Sequence, residues 1–178
     1  QDYREKWTNI SKIYEDKKNF ADSSKLYPPL SIDIETASIC DLACPHCSRE
    51  YIVTPDKIMN FDFYKKLVDE ASILEVPSIK LNWRGEPLLN PKLEEFITYA
   101  KQKGILEVSI NTNAVTLTEK RAKKLIESGL DIIIFSFDGG SKQTYEKMRP
   151  GRFKKNNFDS VYENIKKFSK IKNKMQAK

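Results

Sequence analysis

Leu30-Ser-Ile-Asp-Ile-Glu-Thr-Ala-Ser-Ile-Cys-Asp-Leu-Ala-Cys-Pro-His-Cys47 joins a strand to a cysteine loop, and its reading decides the fold. Ile32 and Ile34 alternate with Asp33 and Glu35, the period-2 pattern of a strand with one apolar and one polar face. The pattern returns in Ser78-Ile-Lys-Leu-Asn-Trp83 and Glu107-Val-Ser-Ile-Asn-Thr112, and a fourth strand reads as Asp131-Ile-Ile-Ile-Phe-Ser136. Helical segments follow each one. The first opens near Asn60; the second starts at Asn90-Pro91 and stops at Gly104. The third is capped by Thr118 and keeps Ala122, Leu125, Ile126 and Gly129 on one face; Ser141 caps the next, and residues 158–170 form the last. Strands alternating with helices of this length predict a parallel sheet.

A parallel sheet covered by helices on both faces reads as continuous apolar runs, and these strands do not. The alternation predicts a sheet curved into a partial barrel of about four βα units, with helices outside and a wet lumen inside. A flat sheet with one solvated face is the alternative. Lys80, Asn82, Asp33 and Glu35 then line the lumen and meet substrate, or else pair among themselves. Ahead of the first strand, Tyr3, Trp7, Ile10 and Tyr14 share a helical face, and Tyr27-Pro28-Pro29 ends it. The expected organisation is an N-terminal helical extension, 1–29, followed by an α/β core, 30–178.

The chain of 178 residues carries 31 Lys and Arg against 25 Asp and Glu, a net +6, and is 39% hydrophobic. Its regular periodicity excludes disorder, and no apolar run has the length of a membrane span. The charge is uneven: residues 152–178 hold nine Lys or Arg against two Asp or Glu, a net +7, which leaves −1 for residues 1–151. Few aromatics are interleaved with this basic tail, so it reads as the solvated face of an outer helix and not as a nucleic-acid arm.

All three cysteines, Cys40, Cys44 and Cys47, lie in the one loop. An odd number so grouped speaks against a disulfide framework and for a reducing, cytoplasmic compartment. The loop leaves the carboxyl end of the first strand, where parallel sheets and barrels bind ligands. Three thiolates can hold three corners of a [4Fe-4S] cluster and leave the fourth iron open to a ligand. A zinc site completed by His46, a ferredoxin-like electron carrier and inert buried cysteines are the alternatives.

This CxxxCxxC loop after the first strand of a βα repeat resembles the radical S-adenosylmethionine (radical SAM) superfamily, and the next three strand ends agree. Arg84-Gly85-Glu86-Pro87 resembles the family's GGEP segment, with arginine in place of the first glycine. Asn113 and Ser136-Phe137-Asp138-Gly139 resemble the segments ending the third and fourth strands, and Arg149 resembles an arginine that takes the cofactor's carboxylate. The stretches Cys44-Pro-His-Cys-Ser-Arg49 and Gly85-Glu-Pro-Leu-Leu-Asn90 are most similar to the SPASM-type branch.

The resemblance implies a cluster on Cys40, Cys44 and Cys47 and S-adenosylmethionine beside it, cleaved reductively to a 5′-deoxyadenosyl radical that takes hydrogen from a polar substrate. Gly85 would let a carbonyl near Gly85–Glu86 accept the methionyl amine, with Glu86 bracing that turn through backbone N–H groups. Ser136 and Arg149 would take the carboxylate, Asn113 the ribose or carboxylate, and Asp138 the ribose unless it caps the following helix. His46 would approach the adenine. Implied partners are a small-molecule or peptide substrate and an electron donor such as flavodoxin or ferredoxin, without nucleic acid or membrane. The family's partial barrel has six βα units, so four imply an incomplete core, the front part of a longer enzyme. A non-catalytic iron–sulfur fragment or accessory protein acting with another chain is the alternative.

Overall fold

In the computed structural model, Glu5, residues 29–53 and residues 55–177 are described. The expected N-terminal helix falls almost wholly outside them. Strands β1 (Ser31–Asp33), β2 (Ser78–Lys80), β3 (Glu107–Thr112) and β4 (Ile132–Phe135) form one parallel sheet in chain order. Helices α1 (Phe61–Ile73), α2 (Leu93–Gln102) and α3 (Glu119–Glu127) follow the first three strands, and α4 (Lys142–Met148) and α5 (Phe158–Lys174) follow β4.

The helix starts follow from side chains that accept otherwise orphaned N–H groups. Asn60 takes the amides of Asp62 and Phe63, Thr118 that of Arg121, Ser141 that of Thr144, and Asn157 that of Ser160. The α2 start differs from the sequence reading. Asn90 Oδ1 takes the Lys92 amide at 2.9 Å and the helix begins at Leu93, because Asn90 and Pro91 are spent on the turn out of a 3-10 segment (Pro87–Leu89).

Register sorts the two faces. Ile32, Ile79 and Val108 stand side by side, and so do Ile110 and Ile133. Ile79, Leu81, Val108 and Ile110 are buried beneath the helices with Tyr64, Val68, Phe96, Ile97 and Leu125. Each such side chain contributes on the order of 1.5–3 kcal/mol. On the opposite face Lys80 pairs with Asp33 at 2.8 Å, both partly exposed. Beyond the ladder, Asn82 Oδ1 accepts the Asn111 amide at 2.7 Å.

At β4 the polar face turns apolar. Ile132 and Ile134 stand beside Ser109 and Asn111 and are 39% and 49% exposed. β4 pairs only with β3 among the described residues and is the sheet edge there. Among the described residues no helix is long and apolar enough to cross a membrane.

Candidate functional site

The cysteine loop leaves the carboxyl end of β1 with Cys44 buried and Cys40 and Cys47 half-buried. The Cys47 amide donates to the Cys44 carbonyl at 3.0 Å, which folds Pro45 and His46 into an exposed turn. Burial pushes the Cys40 thiol up to about 12 and raises that of Cys44 as well, against the pull of Arg149 on Cys44. Both therefore carry protons at neutral pH, and a metal binding here displaces them.

One chain of hydrogen bonds and one chain of charged contacts link the other strand ends to this loop. The first starts at Glu86, which is buried. Its carboxylate accepts the Leu88 amide at 2.9 Å, the Thr112 hydroxyl at 2.6 Å and the Asn113 amide at 2.8 Å. The Asn113 side-chain amide then donates to Asp41, next to Cys40, at 2.7 Å. Glu86 thus braces its turn through backbone N–H groups as expected, and reaches across to the end of β3 as well. The second chain runs from Arg149, 9% exposed, whose Nη2 donates to Asp138 Oδ2 at 2.5 Å. His46 Nε2 stands 3.4 Å from the same oxygen. Asp138 caps no helix; Ser141 does that.

Desolvation raises the Glu86 carboxyl to about 7, against the lowering effect of its three donors. Because the folded value lies above the ordinary 4.5, the folded chain holds a proton that the unfolded chain has released between about pH 4.5 and 7. Stability contributed by this group is therefore full below pH 4.5 and is lost as pH rises through 7. Thermal denaturation from pH 4.5 to 7.5 should show wild type losing stability relative to Glu86→Gln over that window; parallel curves would contradict the assignment.

The site residues sort unevenly. Asn113, Asp138, Arg149 and His46 are joined to the loop through the two chains. The Ser136 amide donates to the Thr112 carbonyl at 2.8 Å, and among the described residues its hydroxyl makes no hydrogen bond. Gly85 lies against Ala37, with its amide 3.1 Å from Glu35 Oε1. Sequence reasoning missed the roles of Asp41, of Thr112, and of Asn156, whose side-chain amide donates to the Arg149 carbonyl at 2.9 Å. It gave Glu35 to the lumen or to a pair with a lysine; Glu35 accepts the Arg84 and Gly85 amides and pairs with the Arg84 guanidinium at 2.9 Å. A carboxylate one position from a cysteine was the available signal for Asp41; the others carry none.

Whether these residues suit the cluster and cofactor can be asked of their chemistry. Three thiols form a soft donor set that suits iron–sulfur binding, and the one carboxylate between them, Asp41, is held by Asn113. Among the described residues no three Cys, His, Asp or Glu side chains are gathered around one ion position. A cluster spreads its ligands over separate irons, and His46, the fourth donor of the zinc reading, is turned to Asp138. For a carboxylate-bearing cofactor the telling atom is Arg149 Nε, a buried donor with no hydrogen-bond partner among the described residues. Leaving such a donor unmet costs about 1–3 kcal/mol, which an incoming carboxylate recovers.

Residues 34–175 match the radical SAM superfamily. The chain is 36% identical over 129 residues to a probable GTP 3′,8-cyclase of Methanococcus maripaludis, covering 72% of this chain and 41% of that protein. The solved structure of anSMEcpe with bound AdoMet and Cp18Cys peptide superposes with a TM-score of 0.66 at 26% identity, over 82% of this chain and 41% of that one. SuiB of Streptococcus suis, bound to its precursor peptide SuiA, shares the fold with a TM-score of 0.69 at 17% identity, over 93% of this chain and 36% of that one. The chain thus spans about two-fifths of the length of the curated relative, 41%. It belongs to the radical SAM superfamily, whose partial (βα) barrels use a [4Fe-4S] cluster and S-adenosylmethionine.

Proposed function

We propose that the protein is a radical SAM enzyme that holds a [4Fe-4S] cluster on Cys40, Cys44 and Cys47 and binds S-adenosylmethionine across the strand ends. The observation that carries this reading is the hydrogen-bond chain Glu86–Asn113–Asp41, which joins the strand ends to the cysteine loop, with the Arg149–Asp138 pair standing against His46 of that loop. A cluster held by Cys40, Cys44 and Cys47 would supply the electron for reductive cleavage of S-adenosylmethionine's carbon–sulfur bond, and the bound cofactor the radical chemistry for hydrogen abstraction from substrate.

The chain's own residues bind and orient. Arg149 offers its Nε–H to the cofactor carboxylate, and Ser136 its hydroxyl as a second donor. The turn at Gly85–Glu86 presents backbone to the methionyl amine, and Glu86 fixes that turn to Asn113. Asn113, oriented by Asp41, offers its amide to ribose or carboxylate, Asp138 meets the ribose, and His46 approaches the adenine. The substrate is a polar small molecule or a peptide, the classes met among the relatives, and the electron comes from a low-potential carrier such as flavodoxin or ferredoxin. Three free thiols suit the reducing cytoplasm.

Anaerobic reconstitution with iron and sulfide, then dithionite and S-adenosylmethionine, tests the reading by formation of 5′-deoxyadenosine. Wild type should form it, and Cys44→Ala should bind little iron and form none. A wild-type cluster that assembles yet yields no 5′-deoxyadenosine would favour the accessory iron–sulfur protein that acts with another chain.

A further inference from the structure

The connector between α4 and α5 folds back onto the cysteine loop, and one residue of it makes most of the contact. Leu42 and Gly151 form an isolated antiparallel bridge, and the Ala43 amide donates to the Pro150 carbonyl at 2.8 Å. Arg152 then holds three consecutive carbonyls. Its amide donates to Asp41 at 2.8 Å, its Nε to Cys40 at 3.3 Å and its Nη2 to Leu42 at 3.2 Å. Nη2 also pairs with Glu50, just beyond the loop's last cysteine. The close approach is built in. A Cβ on Gly151 would lie 1.7 Å from the Lys154 carbonyl oxygen, so only glycine lets the connector turn here.

We propose that Arg152 is a positioning residue for the cluster: its guanidinium fixes the backbone that carries Cys40 and sets the charge felt beside that thiolate. The inference rests on the cluster reading above. A loop with exposed residues at its tip stays ordered only if its backbone carbonyls have fixed donors, and here one side chain and its own amide supply three. The guanidinium stands on the carbonyl of Cys40 itself, within the same residue as the sulfur. A cluster gains negative charge on reduction, so a cation at this distance favours the reduced state and an anion opposes it. Arg152 and Glu50 form an opposed pair, one raising and the other lowering the cluster's potential.

That opposition gives a test that a merely structural role would not satisfy. Arg152→Gln and Glu50→Gln are compared with wild type in the full chain. Apo protein is followed by amide hydrogen exchange over residues 40–47; reconstituted protein is followed by iron retention against a chelator and by the cluster's midpoint potential. Arg152→Gln should exchange faster over the loop, lose iron roughly tenfold faster, the lower end of effects for residues that orient metal ligands, and show a more negative potential. Glu50→Gln leaves the three carbonyl bonds in place and should shift the potential the opposite way. Glu50→Gln keeps the test alive if Arg152→Gln does not fold. Wild-type potentials in the variants, or shifts of the same sign in both, overturn the assignment. Failure of the wild-type chain to take up iron overturns the cluster reading instead, and the apo exchange then decides whether Arg152 holds the loop.

Discussion

Glu86→Ala should destabilise the chain by about 3–5 kcal/mol, read as a fall in the urea midpoint. The carboxylate accepts from three groups that have withdrawn from water: the Leu88 amide, the Thr112 hydroxyl and the Asn113 amide. Alanine leaves all three facing a void. Domains of this size keep a margin of about 5–15 kcal/mol, so the loss consumes a large part of it. Glu86→Gln is the sharper comparison. One amide oxygen can still serve Leu88 and Thr112, while the NH2 must face the Asn113 N–H, donor against donor. Its cost should be roughly 1–2 kcal/mol, concentrated at Asn113. Because Asn113 reaches Asp41 beside Cys40, both variants should also weaken S-adenosylmethionine binding in the reconstituted protein. Unchanged stability in Glu86→Ala would mean that the carboxylate is not the anchor of the strand ends.

The sequence made the sheet legible through side chains that report on their own neighbourhood. Period-2 alternation in residues 31–35, 78–83 and 107–112 announces strands, and Asn60, Thr118 and Ser141 announce helix starts, because each signal lies within a few residues of what it specifies. The cysteine loop was equally plain, since all of its thiols lie together. What stayed hidden joins residues that only the βα topology brings together. Asn113 and Asp41 are 72 residues apart, and Arg152 and Leu42 are 110 apart. The resemblance gives Asp138 as a ribose contact and its place before a helix gives it as a cap; Ser141 takes the cap. The partners of Asp138 prove to be Arg149 and His46, on two other loops. Parity along the strand gives Glu35 to a lumen or to an ion pair with a lysine, and its cation is Arg84. That partner was hidden because β1 ends at Asp33, and two residues later parity no longer fixes the direction of a side chain. β4 broke the polar alternation for a different reason: its run of three isoleucines suits an edge whose open face is apolar.

Gly85→Ala should disable the site with a single methyl group. A Cβ there would lie 1.9 Å from the Ala37 carbonyl oxygen and 2.8 Å from the carbonyl carbons of Ala37 and Ser38. These are backbone atoms, so no rotamer relieves the clash. The turn cannot withdraw either, because the Gly85 amide is held by Glu35 at 3.1 Å and the Glu86 amide by the Ile39 carbonyl at 2.9 Å. Relief must come from pulling Glu86 off Ile39 or from pushing residues 37–39 outward, and Cys40 is the next residue. Either movement spoils the cofactor turn and the cysteine loop together. The stability cost should reach the upper end of the ~1–3 kcal/mol usual for overpacking, or exceed it. Reconstituted Gly85→Ala should hold severalfold less iron than wild type and bind S-adenosylmethionine at least tenfold more weakly. Gly104→Ala is the control that separates this from a generic glycine effect. Gly104 has φ +86 and nothing within 4 Å of its Cβ position, so alanine there strains the backbone by about 1 kcal/mol and touches no part of the site. Gly104→Ala should therefore lose some stability and keep wild-type iron uptake. Equal iron uptake by Gly85→Ala and Gly104→Ala would show that the two loops are not coupled through this contact.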